Sequence, residues 1–192
     1  MKSFMTKSIS MVGCAAILLG SAGSWQKAVA QNAADDKQFI TVADQANLAE
    51  IKESELALEK SKNKDVRAFA RRMVKDHHML MAKMKPFAEK YDVKPTVLLS
   101  TGQDAQYSSL MGLSGSAFDK AYIEDAVKDH HEAVALFQAE VAATTDADLK
   151  STVTVGLDVV THHSQMADAL AQKMGLTVAM ERVAATGASA GR

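Results

Sequence analysis

All six histidines of the chain fall in three doublets. Two doublets close the same pentapeptide, Val74-Lys75-Asp76-His77-His78 and Val127-Lys128-Asp129-His130-His131. The third closes Val160-Thr161-His162-His163. A neutral imidazole is a hydrogen-bond partner or a metal ligand near pH 7. Imidazoles grouped with carboxylates suit iron, manganese, zinc or copper. Other chemistry finds no support. There is no Gly-rich phosphate loop, and no cysteine nucleophile would survive removal of the leader. With 22 basic and 23 acidic residues, and Arg71, Arg72, Lys83, Lys85 and Lys90 mixed among acids, no nucleic-acid partner is expected.

The elements that must position these residues are helices. Apolar residues recur at spacings of three and four, and alternating runs are missing. Four long helices are predicted, over about 36–61, 64–91, 116–144 and 146–174. The first carries the stripe Phe39, Ala43, Ala46, Glu50, Glu53, Ala57. The second carries Val66, Ala70, Met73, His77, Leu80, Met84, Phe87, with Pro86 expected to bend its last turn. The third carries Ile123, Val127, His130, Val134, Phe137, Val141, and Ser116 with Asp119 resembles a capping box at its start. The fourth carries Leu149, Val153, Gly156, Val160, His163, Ala167, Leu170, Met174, with His163 its only polar member.

Very short turns join the first helix to the second and the third to the fourth, so each pair should be an antiparallel hairpin. Residues 92–115 are too long for a turn and imply a crossover along the bundle, with a short helix around 103–110. The halves also align with an offset of 79, pairing Phe39 with Phe118, Glu50 with Asp129 and Glu53 with Glu132. Two hairpins joined by one long crossover describe an all-α, ferritin-like, up-down four-helix bundle.

The helix midpoints fall near residues 49, 78, 130 and 160. Glu50, His77, Asp129, His130 and His163 lie within about three residues of them, hence within about 5 Å of one level at ~1.5 Å of rise per residue. These five are the candidate metal ligands. A second reading stays open, in which the same residues form a metal-free, hydrogen-bonded polar layer. The outer members His78, His131 and His162 point about 100° away, toward the surface, where Asp158 and His162 stand one turn apart. Met73, Met79, Met81 and Met84 surround the second helix's doublet and would suit copper, although methionine also fills core gaps.

The first 30 residues read as a secretory signal, with Lys2 and Lys7 before the short apolar run 11–19 and Ala28-Val29-Ala30 as the cleavage site. Residues 31–36 are expected to be flexible, 37–175 to form the bundle and 176–192 to be a disordered tail. The exported chain would have no cysteine, since Cys14 lies in the leader, and no transmembrane segment. No disulfide would then support its core. Loss of Lys2, Lys7 and Lys27 leaves 19 basic against 23 acidic residues.

Ala49-Glu50-Ile51, Ser54 and Leu56-Ala57, followed by Val66-x-x-Phe69-Ala70-x-x-Met73-Val74-x-Asp76-His77, resemble the first half of the bacterial exported family called domain of unknown function 4142. Leu113-Ser114-Gly115-x-x-Phe118-Asp119-x-x-Tyr122, Asp129-His130 and His163-x-x-x-Ala167 are similar to its second half. The resemblance covers about 37–175. It implies a ferritin-like fold and a periplasmic or outer-membrane-associated place. An envelope protein or a second copy of the chain is the expected partner. It implies no reaction. Ferritin-like di-iron enzymes carry Glu three residues before the ligand His; here Val74, Val127 and Val160 hold those positions. A mononuclear site or none follows, and storage, scavenging or stress protection fits better than catalysis.

Overall fold

The structure is a computed structural model and describes residues 22–177, with side chains from Asp35 onward. Among them are five helices and no strand: α1 (Ala22–Lys60), α2 (Lys64–Lys90), α3 (Thr101–Gly112), α4 (Gly115–Ala143) and α5 (Ala147–Lys173). Most of the leader expected over 1–30, and the tail from 178 onward, lie outside the described residues. The start of α1 at Ala22 lies well upstream of the expected 36, in a stretch without proline.

Local chemistry sets the other boundaries. Asn63 caps α2 by accepting from Asp65 N–H, and Asp146 caps α5 by accepting from Asp148 and Leu149 N–H. The capping box sits on α3, where Ser100 and Gln103 bond reciprocally. The box expected from Ser116 and Asp119 does not form. Gly115, at a φ of +57° that suits glycine, already lies in α4, so Ser116 is inside the helix. Its N-cap is Ser114, which makes no side-chain cap bond, and Asp119 is buried instead.

Side-chain bonds fix the helix directions. The end of α2 and the start of α5 meet α1 at Asp36, where Tyr91 donates to Asp36 or Asp146 and Lys90 donates to Asp146. At the opposite end, Lys60 reaches the carbonyls of Met111 and Leu113, and Lys173 pairs with Asp65. Thus α2 and α4 run one way and α1 and α5 the other, and α3 belongs to a crossover that returns along the bundle. α1 packs on α2 and α4, and α5 on α2 and α4, while α3 lies against α1 and α4. Every adjacent long pair is antiparallel.

The core has two apolar parts. One holds Leu56, Val66, Phe69, Met73, Tyr122, Ile123 and Ala167; the other holds Phe39, Ile40, Leu80, Phe137, Leu149, Val153 and Val160. Burying one such large side chain stabilises by about 1.5–3 kcal/mol. Each long helix passes from one part to the other, and the passage carries buried polar residues: Asn47, Glu50 and Glu53 on α1, Asp76 and His77 on α2, His130 on α4, and His163 on α5.

Candidate metal centre

Three imidazoles meet at this level. His77, His130 and His163 are 4%, 1% and 0% exposed, and one ring nitrogen of each lies within 4.8 Å of one from each of the others. Their ring centroids stand 5.3–5.7 Å apart. The helical period explains the convergence, because each histidine continues the buried stripe of its helix.

The second nitrogen of each ring is engaged by an acceptor. His77 Nδ1 donates to Asn47 Oδ1 at 2.8 Å. His130 Nδ1 donates to the Ala126 carbonyl at 2.8 Å. His163 Nε2 donates to Asp76 Oδ2 at 3.0 Å. An acceptor at one nitrogen places the proton there and leaves a lone pair on the other. The nitrogens so left, His77 Nε2, His130 Nε2 and His163 Nδ1, are buried and have no hydrogen-bond partner. An unsatisfied buried polar atom costs about 1–3 kcal/mol. Three of them cost a sum comparable with the whole net stability of a domain, about 5–15 kcal/mol.

Electrostatics holds the rings neutral. Burial pushes His77 well below the usual histidine range, helped by His130 and His163 nearby. Burial also lowers His130. It takes His163 down to about 4, even though the bond to Asp76 pulls the other way. Burial raises the Asp76 carboxyl, but hydrogen bonds from His163 and Arg72 and the Arg72 charge outweigh it, so Asp76 is held below its ordinary value and stays ionised.

The expected carboxylates stand beside the triad and not among its converging nitrogens. Glu50 is buried, with Oε1 3.7 Å from His130 Nδ1, the nitrogen already bonded to Ala126. Burial, with Asp129 and Asp125 close by, pushes Glu50 up to about 8. Asp129 is half-buried and accepts from Gln106 at 2.7 Å; the same amide donates to Glu53 at 3.2 Å. Burial, then the Glu50, Asp129 and Asp125 charges, raise Glu53 to about 9. Glu50 and Asp129, with Asn47, Gln103, His77 and His130, line a cavity of about 400 Å³ beside α1 and α4.

The outer histidines behave as the helical period predicts. His78 and His162 are exposed, and His131 is half-buried against Asp168 at 3.1 Å. Met79 is 38% exposed, whereas Met73 and Met84 lie in the core. Two residues of the centre escape the sequence reading. Asn47 is buried where the stripe puts Ala46, one position out of phase. Asp76 precedes His77 and bonds across to α5; its place before the doublet, matched by Asp129, was the signal available.

Fold and centre together define an all-helical protein with a buried three-histidine cluster at mid-bundle. The chain belongs to the family described as Domain of unknown function (DUF4142), whose model matches residues 22–170. Its fold is similar to the crystal structure of a DUF305 fragment from Deinococcus radiodurans, with a TM-score of 0.64 at 14% identity over 72% of this chain and 96% of that one. It is also similar to a DUF305 protein from Streptomyces coelicolor, provisionally described as secreted, with a TM-score of 0.65 at 13% identity over 77% of this chain and 97% of that one. No curated protein matches the chain. No described helix is long and apolar enough to cross a membrane.

Proposed function

We propose that this protein binds one transition-metal ion through His77, His130 and His163, and does so outside the cytoplasm to store, scavenge or sequester it. The observation that carries this reading is the set of three buried, partnerless nitrogens on neutral rings whose opposite nitrogens all donate to acceptors. Imidazoles that ligate a metal nearly always make such an outer bond, which fixes the tautomer and raises ligand basicity. Three nitrogen donors with no thiolate favour zinc, copper or ferrous iron over manganese, which prefers oxygen. Asp76, Asn47 and the Ala126 carbonyl are the positioning groups. The leader-like first 30 residues support export, as does the secreted description of one structural relative.

The test is metal content together with thermal stability. Protein purified without an affinity tag from its native compartment should carry close to one equivalent of metal and begin at Gln31. Stripping the ion should lower Tm, and restoring it should raise Tm. His163→Leu should lose the ion and, even stripped, melt below the stripped parent, because buried Asp76 then loses one of its partners. Absence of metal, with no thermal shift on adding zinc, copper or iron, overturns the reading and leaves the histidines as a hydrogen-bonded structural layer.

A further inference from the structure

The cavity beside the triad is larger than a coordinated water needs. Its volume of about 400 Å³ falls within the range of small-molecule sites, ~300–1,000 Å³. His77 and His130 form part of its wall, and both carry a buried, unpartnered Nε2. The rest of the lining divides by chemistry. Leu80, Phe137 and Val160 are buried and apolar, whereas Gln103 and Gln106 of the crossover helix offer amides. Ala46 and Ala133 are partly exposed lining residues, small enough to leave the space between α1 and α4 accessible. α1 contributes no imidazole at this level, so three protein ligands leave a coordination position for an outside group.

We propose that this cavity seats a small organic molecule that coordinates the triad-bound metal through one nitrogen or oxygen donor and buries an apolar body against Leu80, Phe137 and Val160. The inference rests on the metal reading above. Asp129 and Glu132 also line the space, so a multiply charged anion is disfavoured and a neutral or singly charged ligand fits. A centre of this form delivers or withholds its metal according to whether the small molecule occupies the fourth position.

Cobalt(II) reports the fourth ligand through its visible absorption. The purified protein would be stripped, reloaded with cobalt, assayed for cobalt content, and titrated with imidazole and with 4-phenylimidazole. Both probes offer the same donor, and only the second carries an apolar body. Both should shift the cobalt bands. The phenyl compound should half-saturate at a concentration at least about tenfold lower, as burial of one ring predicts. Ala133→Phe, and separately Ala46→Leu, should abolish that advantage while keeping cobalt bound. Cobalt retained with bands that neither probe moves, or with equal half-saturation for the two, overturns this inference and leaves the metal reading standing. Failure to hold cobalt at the triad overturns both.

Discussion

The two helical hairpins enclose one polar layer but bring different chemistry to it. The α4–α5 hairpin supplies two buried imidazoles, His130 and His163. The α1–α2 hairpin supplies one imidazole, His77, and adds Asn47, Glu50, Glu53 and Asp76 to the layer. The offset of 79 that relates α1 to α4 sets Ile51 where α4 has His130. At this level α1 therefore offers an amide and carboxyl groups where the other three helices offer rings. Burial acts oppositely on the two kinds of group. It keeps imidazoles neutral by lowering their pKa and keeps Glu50 and Glu53 neutral by raising theirs. Asp76 is the exception, ionised between Arg72 and His163, and the partnerless atoms within the triad are buried lone pairs.

If the hairpins differ in this way, removing a ring should cost far more metal affinity than removing a positioning group. His130→Ala should weaken binding by more than about a hundredfold, and Asn47→Ala by about tenfold, the scale of lost outer-shell bonds. Competition titration against a chelator of known affinity measures both. Equal losses would break the distinction between ligand and positioning residue.

A packing contrast follows. α5 places Gly156 so close to Phe137 that a Cβ would come within 2.6 Å of the ring. Phe137 is itself packed edge-on against Phe39, with centroids 5.1 Å apart. Gly156→Ala gains about 1 kcal/mol of helix propensity but forces the ring aside, and overpacking costs about 1–3 kcal/mol. A net loss of about 1 kcal/mol is expected, read as a lower Tm in stripped protein. A rise in Tm would show that Phe137 swings freely into the cavity.

The smallest effect is a difference in pH response. Buried histidines with lowered pKa values bind fewer protons folded than unfolded, so their contribution is fully present above about 6.5 and is lost as pH falls toward the value of about 4 at His163. Glu53, raised to about 9, works with the opposite sign. The folded state holds its proton after the unfolded chain has released it, so stability falls as pH climbs from about 4.5 toward 9. Glu53→Gln should therefore raise Tm by about 5 °C at pH 9 and by much less at pH 5. Thermal melts of stripped protein at the two pH values check it, and an equal shift at both would place the Glu53 cost in packing rather than charge.

The sequence by itself determined the helices, their pairing and the level of the polar layer. A period of 3.6 residues leaves its mark on side-chain type, and short turns leave only antiparallel partners. On that basis Val66 through Met84 and Leu149 through Leu170 read as buried stripes, and His77, His130 and His163 as their inward histidines. Tertiary structure alone decided which groups face one another. Glu50 and Asp129 share the level of the triad, yet a rotation of a helix about its own axis decides whether a carboxyl group meets a lone pair or the back of a ring. That angle depends on how neighbouring side chains interdigitate. The same rotation brought Asn47 inward in place of Ala46 and turned Asp76 across to His163. It also left an open volume beside α1, because a missing side chain has no signature until its neighbours are in place.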